Sequence, residues 1–357
     1  MGIKIALLIV FFAVMVGVGI YSRKHATSVD GFVLGGRAVG PWLTAFAYGT
    51  SYFSAVVFVG YAGQFGWKYG IACTWIGIGN AVIGSLLAWV VLGRRTKVMT
   101  QHLGSKTMPD FFGERYDSKA IKITASVIVF IFLIPYTASV YNGLSRLFGM
   151  AFDIPYSWCV IAMAVFTALY VILGGYMATA INDFIQGIIM LAGIVAVVAA
   201  VLGGQGGFME ALSKMAEIPS DVPLTAGQPG AFTSFFGPDP LNLLGVVILT
   251  SLGTWGLPQM IGKFYAIKDE KSVNTGTVIS TVFAIVVSGG CYFLGGFGRL
   301  FDSPEIYDGT GAVVYDSIIP YMLSALPDIL IGIVVVLVLS ASMSTLSSLV
   351  LTSSSTM

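Results

Sequence analysis

The stretch PWLTAFAYGTSYFSAVVFVGYAGQFGW, residues 41–67, is long and apolar enough to cross a bilayer, yet its middle is wrong for an uninterrupted helix. About 20 apolar residues span the hydrocarbon core. Here Tyr48, Gly49, Thr50, Ser51, Tyr52, Phe53 and Ser54 place a glycine and several hydroxyl groups at mid-depth. In lipid every backbone polar group must be satisfied, so a helix breaks there only beside protein or a water-filled cavity. A second stretch, LTSLGTWGLPQMIGKFY at 249–265, carries the same weakness at comparable depth through Gly253, Gly256 and Pro258. Two interrupted spans in corresponding places point to a binding site between them.

The rest of the chain agrees with a membrane solvent. Of its 357 residues, 56% are hydrophobic and only 10% charged, with a mean hydropathy of +0.89. Soluble domains carry roughly 25% charged residues. Spanning length is reached at 3–21, 41–65, 71–92, 121–145, 156–173, 181–203, 241–262, 274–297 and 328–355. The fold class expected is therefore an all-α polytopic membrane protein, with one domain over 1–357. The opening MGIKIALLIVFFAVMVGVGIY resembles a signal peptide, but it runs on into Ser22, Arg23 and Lys24 without a small-residue cleavage site, so it is read as a retained first span.

With the N-terminus outside, the cytoplasmic loops collect thirteen of the eighteen Lys and Arg residues, Lys97, Lys263, Lys268 and Lys271 among them, and the positive-inside rule favours that orientation in a cytoplasmic (inner) membrane. The net charge of +1 offers no basic face to nucleic acid. The three cysteines fall in different apolar stretches, and His25 and His102 are each alone, so neither a transition-metal site nor a histidine-based catalytic pair has support, and no enzyme activity is expected. The final span ends in LVLTSSSTM with no Lys or Arg anchor, although this end should meet the cytoplasm, and it reads as cut rather than finished.

Two further spans carry polar groups worth naming. In the ninth, LVLSASMSTLSSLVLTSSS places Ser344, Ser347 and Ser348 on one helical face, with Thr345 beside them. Neutral oxygens of this kind suit a hard cation, and unwound carbonyls can complete its shell. Close helix packing also favours serine, glycine and threonine, so that reading stays open. Asp183, near the start of the sixth span, is an ionisable group inside an apolar segment, which is a functional candidate by default and at shallow depth also an ordinary interfacial residue.

Six motifs taken together resemble the sodium:solute symporter family, which includes sodium/proline, sodium/sialic acid and sodium/glucose symporters. They are LGGRAVGPWLTAFAYGTSYFSA (34–55), MPDFFGERYDSKAIK (108–122), PYTASVYNGLSRLF (135–148), ILGGYMATAINDFIQ (172–186), GLPQMIGKF (256–264) and ASMSTLSS (341–348). The resemblance implies an inverted five-helix repeat core, with 1–22 as an extra N-terminal helix, 41–203 as the first repeat and 241–357 as an incomplete second repeat. It implies alternating-access symport of sodium with a small organic solute such as an amino acid or monocarboxylate, with Na+ as coupling ion, no other cofactor, and the lipid bilayer as the remaining partner. A fragment lacking two core helices would not be expected to transport alone.

The family pattern maps a sodium site onto the carbonyls of Thr50, Phe53 and Ala341 and the hydroxyls of Ser344 and Thr345. A second candidate sodium set is Asp183 with Ser344, Ser347 and Ser348. Candidate solute contacts are Tyr52, Ser54, Tyr136, Thr254, Trp255, Pro258 and Gln259. Proline transporters have an Asp where this chain has Tyr52, and aromatic residues where it has Thr250 and Thr254, which argues against proline. Two other functions fit the same residues: a proton-coupled symporter, and the membrane solute-sensor domain of a signalling protein.

Overall fold

The computed structural model describes residues 2–152 and 155–356. Its helices are α1 (Gly2–Ser22), α2 (Pro41–Tyr52), α3 (Ala62–Tyr69), α4 (Thr74–Gly79), α5 (Arg94–His102), α6 (Met108–Tyr116), α7 (Lys119–Phe152), α8 (Tyr156–Gly204), α9 (Phe208–Glu217), α10 (Pro240–Gly253), α11 (Pro258–Ala266), α12 (Glu270–Gly295), α13 (Tyr315–Ser324) and α14 (Asp328–Thr356). A π-helical turn, Val56–Tyr61, leads into α3, and two more, Asn80–Leu87 and Trp89–Gly93, join α4 to α5. The architecture is all-α, as the composition and periodicity predict.

Six helical stretches are long and apolar enough to cross a membrane, or seven if α10 and α11, bent by 50°, count as one span. Two of the six are too long for a single crossing. At 1.5 Å per residue, the 49 residues of α8 would run about 74 Å, more than twice the hydrocarbon thickness. The chain instead doubles back at Gly175, whose φ of 52° and ψ of −143° suit glycine alone. α1 records the reversal along its length. Phe12 stacks on Phe166, Gly174 lies against Gly19 and Ser22, and then Asn182 and Gln186 return to Met15.

Gly70, with φ of 60°, reverses the stretch Val56–His102 in the same way, read out along α12. Gly49 on α2 and then Gly66 face Phe283 and Gly295 on the way out; Cys73 reaches the Tyr292 carbonyl, Ser85 bonds Ser280 and Gly93 faces Val273 on the way back. Divided at both hairpins, the seven candidate spans give nine helical segments among the described residues.

The outer surface of the bundle is apolar, and its interior holds polar groups within the hydrophobic core. Ile9, Phe132, Ile172 and Leu249 are exposed, whereas Asn80, Asp183, Gln186, Gln259 and Lys263 are buried. Apolar side chains facing outward cost nothing in lipid, and the interior is where polar groups find partners. Lys263 and Lys97, which the sequence places in cytoplasmic loops, are 2% and 1% exposed. That loop assignment is corrected: a lysine near the end of an apolar window reads as a flank, but α11 turns inward after its bend and carries Lys263 into the bundle.

The two broken segments are pinned at one end. Val39, just before α2, exchanges backbone hydrogen bonds with the end of α11, from Val39 N to the Ala266 carbonyl at 3.3 Å and from Lys268 N to the Val39 carbonyl at 2.9 Å. Arg37 adds a bond to the Ser105 carbonyl at 2.6 Å, tying the loop before α6 to the same corner. Nearby, Asp110 on α6 pairs with Lys122; burial works to raise its carboxyl, but the lysine hydrogen bond and charge prevail and hold it below the ordinary 3.8.

Candidate functional site

The first break follows from hydroxyls rather than proline. Thr50 Oγ1 bonds back to the Phe46 carbonyl at 2.9 Å and Ser51 Oγ to the Ala47 carbonyl at 2.5 Å, a pattern that bends helices. Phe53 is then extended, at φ −88° and ψ 118°. Ser54 Oγ accepts the Val56 N–H at 3.2 Å and starts the next segment. The carbonyls of Thr50 and Phe53 are thereby turned toward α14.

There they meet two hydroxyls. Ser344 Oγ lies 3.2 Å from the Thr50 carbonyl and 3.0 Å from that of Ala341. Thr345 Oγ1 lies 3.3 Å from the Thr50 carbonyl, 2.9 Å from that of Phe53 and 3.1 Å from that of Ala341. All five residues are buried. Two hydroxyls own two protons, and carbonyls own none. Of these five short contacts, at most two can be good hydrogen bonds at once, so the others bring lone pairs together. Such a cluster attracts a cation. Ligands about 2.4 Å from a hard ion and at right angles to one another lie about 3.4 Å apart, slightly wider than these oxygens.

The second set is arranged differently. Asp183 is fully buried, and neither of its oxygens has a hydrogen-bond partner among the described residues. Its nearest charge is the Lys263 ammonium at 3.6 Å, long for a hydrogen bond. Lys263 Nζ donates to Ser348 Oγ at 3.1 Å, and Ser348 Oγ is 2.8 Å from Ser51 Oγ. Ser347 Oγ bonds the Ser344 carbonyl at 3.0 Å, while Tyr170 OH bonds that of Met343 at 3.1 Å. Lys263, Ser51 and Tyr170 are not among the site residues expected from the sequence. The signal for Lys263 was present, since an intramembrane carboxylate calls for a cationic partner.

Four of the seven candidate solute contacts line two cavities. Tyr52 and Thr254 line one of 20 Å³, room for about one water, together with Tyr48, Asn80, Ser85 and Ser288. Pro258 and Gln259 line another, of 40 Å³, beside Lys106, Tyr176, Lys263 and Ser348. Gln259 is buried, and both its amide atoms lack partners among the described residues. Trp255 Nε1 bonds the Ile83 carbonyl at 2.8 Å, and Thr254 Oγ1 bonds that of Gly84 at 3.2 Å, which ties the second break to the π-helical turn. Ser54 is taken up in capping, and Tyr136 packs with Leu133, Val140, Leu346 and Leu349. Asn80, missed from the sequence, donates to Ser288 Oγ at 3.3 Å and accepts from Ser251 Oγ at 3.2 Å.

Comparison with known proteins gives the family and the fold. A profile described as "Sodium:solute symporter family" matches residues 32–357. Sodium/proline symporter 2 of Staphylococcus saprophyticus is 30% identical over 366 residues, covering 98% of this chain and 66% of that protein. A sodium/proline symporter of Staphylococcus aureus is 32% identical over 268 residues, or 73% of this chain and 49% of the relative. The chain thus spans between half and two thirds of the length of these curated relatives. A Na+-coupled sialic acid symporter, solved in a substrate-bound outward-open state described as revealing a novel Na+-site, superposes with a TM-score of 0.81 over 99% of this chain and 72% of that one. At 16% identity that likeness shows a shared fold.

Proposed function

The chain belongs to the sodium:solute symporter family, and from that membership we propose that it serves sodium-coupled symport of a small organic solute by alternating access. The observation that carries this reading is the cluster of Thr50, Phe53 and Ala341 carbonyls against the Ser344 and Thr345 hydroxyls, too many acceptors for two protons. Sodium bound there would join the first broken segment to α14 and favour one arrangement of the bundle over the other. Its neutral ligands hold the ion without trapping it. Each sodium moving down about 100 mV contributes roughly 2.3 kcal/mol, enough for about fifty-fold solute accumulation.

The solute reading rests on the chemistry of the residues lining the two cavities, which at 20 and 40 Å³ have room for water and must widen to admit a solute. Their walls near the breaks are hydroxyl, amide and aromatic groups from Tyr52, Asn80, Thr254 and Gln259, which suit a neutral or zwitterionic molecule such as an amino acid, or a monocarboxylate placed near the amino-terminal end of α11. Ser54 and Trp255 act through the backbone that shapes these walls, and Tyr136 through packing on α14. An outside N-terminus follows from the distribution of basic residues, and a cytoplasmic-membrane location accords with it. No covalent chemistry is required.

The test is uptake by the complete protein in liposomes, with amino acids, monocarboxylates, sugars and vitamins screened against sodium, choline and proton gradients. Sodium-driven accumulation is expected, and Thr345→Ala should raise the half-saturating sodium concentration about 10- to 100-fold, the loss of one charge-assisted contact of about 1.5–3 kcal/mol. Uptake driven equally by a proton gradient in choline, or unchanged sodium dependence in Thr345→Ala, would remove the reading.

A further inference from the structure

The acidic site at Asp183 already holds a cation, and that cation is part of the chain. Lys263 reaches it from α11, the inward half of the bent segment. Its ammonium lies 3.6 Å from Asp183 on the second arm of α8, 3.1 Å from Ser348 on α14, and 5.1 Å from the centre of the Tyr176 ring. Through Ser348 the contact extends 2.8 Å further to Ser51 on α2. The Asp183 and Lys263 side chains are 0% and 3% exposed. A carboxylate, a hydroxyl and an aromatic face are the partners a buried monovalent cation would seek.

Asp183 is also the one carboxylate among the buried residues described. A sodium ion on it would share that single negative charge with the ammonium, and the surplus positive charge would stand in a low-dielectric interior with no second anion beside it. We propose that Lys263 is a resident, tethered cation of this core. It fills the acidic site so that the chain holds one exchangeable sodium, at Thr50, Phe53, Ala341, Ser344 and Thr345, instead of two. This rests on the reading of those five residues as a sodium site. The lysine does mechanically what a second bound ion would do, joining α2, α8, α11 and α14, but it cannot leave. One sodium per cycle makes the lower accumulation ratio the expected one.

The experiment is radiolabelled sodium binding to the purified full chain, with thermal melting in sodium chloride against choline chloride. Wild type should bind one ion per chain. Lys263→Gln, with the site vacated, should bind two and gain a sodium-specific rise in melting temperature larger than that of wild type. Asp183→Asn/Lys263→Gln, which removes both charges, should return to one. Two ions in wild type, or one in a folded Lys263→Gln, overturns the proposal. So does a Lys263→Gln that stays unfolded in saturating sodium while the double variant folds, since the ion then fails to replace the ammonium. Loss of the first ion in Thr345→Ala, with the extra ion kept in the Lys263→Gln background, assigns the two sites separately. No sodium in any variant would remove the sodium reading of the five-oxygen site instead.

Discussion

The two broken spans use one backbone device with opposite electrostatics. At the first, hydroxyl back-bonding and an extended Phe53 turn carbonyls toward the α14 hydroxyls, leaving oxygens in excess of protons. At the second, Gly253, Gly256 and Pro258 bend the chain by 50° and deliver a fixed positive charge, Lys263, to a buried carboxylate. One break is built to receive a mobile cation, the other brings its own. A helix interruption opens room for an ion, while the side chains around it decide whether that ion exchanges. Ser348 connects the two, accepting a hydrogen bond from Lys263 and touching Ser51 on the first broken segment.

The largest effect should come from stranding the fixed charge. Asp183→Asn leaves the buried ammonium without its anion and should cost about 3–5 kcal/mol, read as a fall in melting temperature in detergent, with most of it recovered in Asp183→Asn/Lys263→Gln. A neutral Asp183→Asn would erase the contrast between the breaks. A middle-sized effect is expected where they meet. Ser348→Ala removes a hydrogen bond to a charged group and should cost about 1.5–3 kcal/mol. A double-mutant cycle with Thr345→Ala should show coupling of about 0.5 kcal/mol or more in sodium affinity; strict additivity would mean that the two breaks act independently.

The smallest effect sets the baseline outside both breaks. Asp110 and Lys122 form a partly exposed pair, with side chains 22% and 47% exposed, and Asp110→Asn should cost about 0.2–1 kcal/mol. Because the folded Asp110 carboxyl is held below 3.8, its contribution is complete above that ordinary value and fades as pH falls through the lowered one. Melting curves from neutral to strongly acid pH should therefore converge for wild type and Asp110→Asn only at the acid end. A difference confined to neutral pH and lost by pH 5 would contradict the assignment.

Much of the site was readable in the chain. Gly49 to Ser54 marked one interruption and Gly253 to Pro258 the other, because glycine, proline and hydroxyl residues at mid-span conflict with an apolar helix in lipid. The Ser344, Thr345, Ser347 and Ser348 cluster was visible from spacing alone. Lys263 was not, since its position beside a span end looks like a flank, and its partners Asp183 and Ser348 lie about 80 residues away on either side. The division of the solute candidates between two small cavities was equally hidden, as neighbours in sequence such as Thr254 and Gln259 turn to different chambers across the bend.

Composition and period alone place this chain in lipid, locate its spans and mark the two that must break, because solvation and backbone hydrogen bonding act locally. Which polar groups share an interior is set by the packing of the helices. That choice depends on distances between helices far apart along the chain: at 3.6 Å a lysine neutralises an aspartate that would otherwise call for a free ion, and no periodicity in either helix encodes that distance.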